Sequence, residues 1–204
     1  DYPKPLTANH PAGSLSFALT PELTAELKGI AQSESATMFA VLLAAFQWLL
    51  SQYTGQSDVA VGSPFANRDR RETEDVVGFF VNTLVLRTDT SGAPSFRQMI
   101  RRALDITLAA HSNKDVPFEQ LVEHLRPGRS LGSSPFFRAM FSVEGATPGR
   151  RSLPGLDVEE IGDLDLVQSK FELLLLLQAG AECLTGELQF ASDMFSRHSM
   201  ETLA

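Results

Sequence analysis

The sequence predicts an α/β fold, a mixed β-sheet flanked by helices in an α+β layered sandwich. Three observations support this. Segments with strand-like patterning alternate along the chain with segments of helical period. Several strand-like runs, "KFELLLLLQ" (170–178) above all, are apolar on both faces, as covered strands are. With 204 residues, 43% apolar and 21% charged, the chain has material for one large domain, or a tight pair, around a proper core.

Residues 1–14 carry three prolines in the first 11 positions, too many for a helix or an inner strand, and read as a linker. "SLSFAL" (14–19) alternates as a short strand does. Thr20 then caps a helix, with Pro21 at its first position and Glu22 in its positive first turn. Leu23, Leu27, Ile30 and Ala31 form its apolar stripe. The next helix, about 37–53, contains "MFAVLLAAFQWLL" (38–50) and is apolar nearly all round, so it packs on several sides. That run is about 13 residues long, whereas a membrane span needs about 20.

"DVAVGSPF" (58–65) predicts a strand ending at Pro64, and "ANRDRRETED" (66–75) a charged loop. The run from Val76 to Leu86 predicts a strand covered on both sides. Asn82 in its middle is expected to be buried and bonded to neighbouring backbone, because an unpaired buried amide is costly. Ser95 and Gln98 make a capping box for a helix whose face holds Phe96, Ile100, Ala103 and Thr107. A second helix starts at Pro117, with Phe118, Leu121, Val122 and Leu125 at helical spacing, and Arg126-Pro127-Gly128 stops it. Strands are expected at "FFRAMFSV" (136–143), 170–178 and "LTGELQFA" (184–191). Residues 144–168 are irregular, with a short strand near 156–161, and a final helix begins within "SDMFSRHSMETLA" (192–204).

The net charge of −8 and pI of about 5.0 argue against a nucleic-acid or anionic-membrane surface, since both need a basic footprint. The N-terminus is Pro-rich and polar, unlike a signal segment, and the one cysteine, Cys183, fits a reducing, cytoplasmic compartment. The histidines, His10, His111, His124 and His198, show no metal-ligand spacing, so no metal site is expected. His111 reads as a helix C-terminal histidine favoured by the dipole, with a general-base or metal role as the alternative. Ser63 is a turn residue or the lining of a cleft at a strand end. Arg68, Arg70 and Arg71 either bind an anion or pair locally with Glu72, Glu74 and Asp75.

Five stretches, in order, resemble one family. "VAVGSPFANR" (59–68) and "VVGFFVNTLVLR" (76–87) are similar to segments of nonribosomal peptide synthetase condensation domains. "HSNKDVPFEQLV" (111–122) is similar to that family's H-Q-D-x-P-F-E motif, with an apparent insertion at 112–114. "RSLGSSPFFRAMF" (129–141) and "SKFELLLLL" (169–177) follow, and "DYPKP" looks like the segment leading into the C-terminal lobe. The resemblance implies a chloramphenicol acetyltransferase-like lobe, with residues 1–14 as interlobe linker and 15–204 as the C-terminal lobe. The full domain would join a peptidyl thioester to an aminoacyl amine.

The implied partners are the N-terminal lobe, upstream and downstream peptidyl carrier proteins bearing phosphopantetheine arms, and an adjacent adenylation domain. No cofactor would bind the chain directly. The family's H-H-x-x-x-D-G motif is missing here, so no catalytic residue is assigned and the fragment is expected to be inactive alone. Residues 63–80 would floor a tunnel between the lobes, and the 144–168 stretch would cross to the other lobe as a latch. Ser63, Asn82 and Thr83 are the tunnel candidates. Gly78, Phe80, Arg87, Asp115, Pro117, Phe118, Glu119, Arg129 and Pro135 are the motif scaffold. Apolar surface facing the missing lobe would be exposed and self-associate. The alternative is a carrier-protein-docking module without catalysis.

Overall fold

A computed structural model of the chain describes residues 1–3, 5, 10–68, 71–73, 75–125, 136–145, 156, 168–180 and 182–204. In chain order, β1 (His10–Ala18) leads into α1 (Pro21–Ser33), α2 (Met38–Thr54), β2 (Asp58–Ala66) and β3 (Val81–Asp89). Then come α3 (Phe96–Ser112), α4 (Phe118–Leu125), β4 (Ala139–Gly145), β5 (Gln168–Ser169), β6 (Leu173–Ala179), β7 (Leu184–Ala191) and α5 (Arg197–Leu203). The seven strands form one mixed sheet in the order β3-β2-β4-β6-β7-β1-β5. The β2–β4 and β4–β6 pairs are parallel and the others antiparallel.

Strand alternation sends one set of side chains toward α2 and α3. Val59, Val61, Leu84, Leu86, Phe141, Leu173, Leu188 and Phe190 bury against Val41, Leu43 and Phe46 of α2 and Met99, Ile100 and Ala103 of α3. The rings of Phe39 and Phe46 lie 5.2 and 5.7 Å from that of Phe141. α2 carries a buried glutamine in this apolar layer. Gln47 Nε2 donates to Leu86 O (3.0 Å) and its Oε1 accepts from Thr88 Oγ1 (2.7 Å), so it stitches α2 to β3 at no unpaired cost. The Thr20 cap and the Ser95–Gln98 capping box both form.

Several expectations need correction. β1 starts at His10, inside the stretch read as linker, and Pro11 sits within it opposite Gln168. In α1, Leu27, Ile30 and Ala31 face the core, but Leu23 is exposed and Thr24 is buried instead, its Oγ1 accepting the Leu184 N–H at 3.2 Å. β2 runs through Pro64 to Ala66. At Pro64 its one partner is β3, since the β4 pairing stops at Gly62, so the missing N–H breaks no ladder.

Among the described residues β3 lies at the sheet edge and not inside it, and it begins at Val81. Residues 76–80 lie outside it, with Val77 100% and Phe79 87% exposed. No residue of α4 is fully buried, so its apolar stripe is only half covered. β4 starts at Ala139, three residues later than expected. The helix stop at 126–128 and most of the irregular 144–168 stretch lie outside the described residues, as do Arg70, Arg129 and Pro135.

Candidate functional site

The motifs found separately along the chain meet at the β3 edge of the sheet. Asn82 sits at the start of β3 opposite Phe65, and Thr83 opposite Pro64, so their side chains point to opposite faces. Phe65 packs on Phe39 of α2 and on the ring of His111, which places Asn82 on the helical side. From there its carboxamide spans the α3–α4 turn. Nδ2 donates to Lys114 O (2.7 Å) and Val116 O (2.8 Å), and Oδ1 accepts the Phe118 N–H (3.1 Å).

Both amide hydrogens and the carbonyl are therefore used, and Asn82 satisfies one of the first free N–H groups of α4 from outside the helix. Asn82 is half-buried rather than buried, and its partners lie 32–36 residues away, not in the neighbouring strand.

With its first residue held, α4 presents the Phe118 ring to Phe136 (5.9 Å) and Phe137 (5.8 Å). Phe137 lies over Gly62 in β2, where an added Cβ would sit 2.4 Å from the ring. The glycine of "VGSPF" is therefore a slot for the second phenylalanine of "FFRAMF". Asn82, Phe118, Phe137 and Gly62, from four motifs, make one junction.

The loop before β3 is organised by Arg68. Its guanidinium donates to the carbonyls of Thr73, Val76 (2.8 Å) and Gly78 (3.2 Å), and lies 4.2 Å from the centre of the Phe80 ring. These contacts make Arg68 a brace for the loop that leads into β3. Bracing leaves Val76, Val77, Phe79 and Val81 as an exposed apolar ridge beside the junction. Gly78 gives Phe80 room, an added Cβ there lying 3.1 Å from that ring.

Ser63 is fully buried. Its hydroxyl donates to Phe141 O at 2.7 Å, where β2 and β4 diverge, instead of facing a cleft. Arg87 makes two bonds to Asp58 (2.8 and 2.7 Å) on the face away from the helices, and this hydrogen bonding holds the Asp58 carboxyl below its ordinary range. Asp115, Pro117 and Glu119 are exposed around the turn that Asn82 grips. His111 stands in the last turn of α3, with Lys114 Nζ 3.2 Å from its Nε2.

A cavity of about 690 Å³ borders this junction through Phe136 and Phe137, is lined also by Tyr53, Arg138, Glu172 and Leu203, and takes in none of Ser63, Asn82 and Thr83. Among the described residues no group of three or more His, Cys, Asp or Glu is placed to hold a metal ion. The junction can position and rigidify. It contains no paired acid and base and no activated nucleophile.

Sequence reasoning named Asn82 and Phe118 but missed that they touch. It also missed Gly62 and the bracing role of Arg68. A glycine inside a strand pattern was the available signal for the first, while nothing in the loop composition pointed to the second.

A family model described as "Condensation domain" matches residues 1–204. A linear gramicidin synthase of Brevibacillus parabrevis is 40% identical over 205 residues, covering 100% of this chain and 4% of that protein. Bacitracin synthase 2 of Bacillus licheniformis is 36% identical over 204 residues, covering 100% of this chain and 8% of that protein. The chain thus spans a small fraction of these curated relatives. Among solved structures, a four-domain nonribosomal peptide synthetase bound to AMP and glycine superposes with a TM-score of 0.87 at 22% identity, over 100% of this chain and 16% of that one. The X-domain from teicoplanin biosynthesis gives a TM-score of 0.85 at 26% identity, over 94% of this chain and 44% of that one. The mixed sheet with flanking helices is the chloramphenicol acetyltransferase-like arrangement of these structures.

Proposed function

We propose, since this chain belongs to the condensation-domain family, that it is the C-terminal lobe of a domain joining a carrier-bound acyl or peptidyl thioester to an aminoacyl amine. The observation that carries the reading is one of extent. The whole chain has the fold, yet it covers less than half of the X-domain, a single domain of the same architecture. Two features agree with this. The sequence holds no His-His pair, so the H-H-x-x-x-D-G motif would come from the other lobe. The ridge at Val76, Val77, Phe79 and Val81 is apolar surface of the kind an interface covers.

In this role the lobe supplies shape. The reaction places an amine against a thioester carbonyl, and correct orientation lowers much of such a barrier without a proton-transfer group. The braced 68–80 loop would form the floor of the passage for the phosphopantetheine arms, and Asn82 would hold that floor against the α3–α4 turn. Thr83, on the opposite face, is the remaining candidate for a passage-lining side chain. The partners would be the N-terminal lobe, two peptidyl carrier proteins and an adenylation domain, and the setting the cytoplasm. No helix among the described residues is long and apolar enough to cross a membrane.

The test is a condensation assay with carrier-bound donor and acceptor. The chain alone should give no turnover, and a protein carrying it behind an H-H-x-x-x-D-G lobe should give product. Turnover by the chain alone would refute the half-domain reading, and no turnover by the two-lobed protein would refute the activity.

A further inference from the structure

Asp1, Tyr2 and the first two residues of β1 are fastened to the turn ahead of α5. Four contacts run in reverse order along the two segments. Pro11 O accepts from Ser192 N (2.9 Å) and Ser192 Oγ (3.2 Å). His10 Nδ1 lies 3.0 and 3.1 Å from the two carboxylate oxygens of Asp193. Tyr2 N donates to Met194 O (3.0 Å), and Asp1 Oδ2 accepts from Ser196 N (2.8 Å). Ser196 is itself the N-cap of α5, its Oγ accepting from Ser199 N.

His10 is the buried member, 3% exposed, and its Nε2 has no hydrogen-bond partner among the described residues. A carboxylate can only accept, so the proton sits on Nδ1. An apolar ring in the same slot would leave no orphaned nitrogen. What histidine adds is a directional bond to one carboxylate, and such a bond selects a single seating. Met200 is the one fully buried side chain among the described residues of α5, so little apolar packing holds the helix and the pair adds to it.

We propose that the start of β1, together with Asp1 and Tyr2, straps down the turn that leads into α5, with the His10–Asp193 pair as the buried fastener, so that the start of β1 and α5 move as one body. Hydrogen–deuterium exchange on the full chain tests this. In His10→Phe, the α5 amides should exchange roughly tenfold faster, the size expected for one lost buried bond, while those of β2, β4 and β6 keep their protection. A second variant, Asp1→Ala with Tyr2→Pro, removes only the exposed contacts and should speed the same amides by about threefold. The second variant alone decides if His10→Phe does not fold. Unchanged α5 exchange, or an equal loss across the whole sheet in the second variant, would overturn the strap.

Discussion

Two stretches of this chain look alike in sequence and end in opposite environments. Residues 38–50 and 76–86 are both apolar nearly all round. The first becomes α2, whose Val41, Leu43 and Ala44 are fully buried between the sheet and its neighbouring helices. The second divides at Val81. Its C-terminal part is an edge strand with one face in the core, and its N-terminal part is an exposed ridge braced by Arg68. An apolar run reports that burial is needed. It does not say whether this chain or a partner supplies the cover.

The difference can be broken most decisively at its two extremes. Phe141→Ala removes a ring stacked under α2 and should cost about 3–5 kcal/mol in urea unfolding. Phe79→Ala on the ridge should stay within about 0.5 kcal/mol of wild type. Equal costs would mean that the ridge is core. Gly62→Ala forces a methyl group against Phe137 and should destabilise by about 1–3 kcal/mol. Replacing Phe137 by Leu in that background should recover part of the loss if the clash is the cause.

Asn82→Ala strands two carbonyls and one N–H of the α3–α4 turn and should cost about 1–3 kcal/mol. An unchanged melting temperature would show that the grip carries no weight. Smaller again is the Asp58–Arg87 pair. The folded Asp58 carboxyl is held below its unfolded value of about 4, so its contribution is present above that pH and lost as pH falls through the lower folded value. The pair is exposed and screened, so Asp58→Asn should differ only slightly from wild type at neutral pH and not at all in strong acid. Last, Val77→Asp with Phe79→Ser should leave stability unchanged while reducing self-association in sedimentation. Equal association would place the sticky surface elsewhere.

Much of the fold was legible. Thr20, Ser95 and the apolar periods of α1, α2 and α3 mark their helices, because capping and amphipathicity are local properties of a few consecutive residues. The site was legible as motifs and not as an arrangement. Asn82 reads as a buried amide inside an inner strand. It is instead a clamp at the sheet edge, because its partners at 114, 116 and 118 are brought there by a helix that the strand pattern says nothing about. Ser63 reads as a turn residue or a cleft lining, but the divergence of β4 from β2 gives its hydroxyl a buried carbonyl.

The sequence by itself determined the α/β class, the helix starts, the acidic surface and the order of motifs that resembles condensation domains, because each depends on neighbours in the chain or on composition. The tertiary structure alone decided that β3 is an edge, that Gly62 houses Phe137, that Arg68 braces a loop, and that residues 1 and 196 touch. Apart from the Arg68 brace, which spans 5–10 residues of irregular loop, these arrangements join residues too far apart in sequence for any local period to encode them. They follow from which faces remain to be covered once α2 has taken the centre of the core.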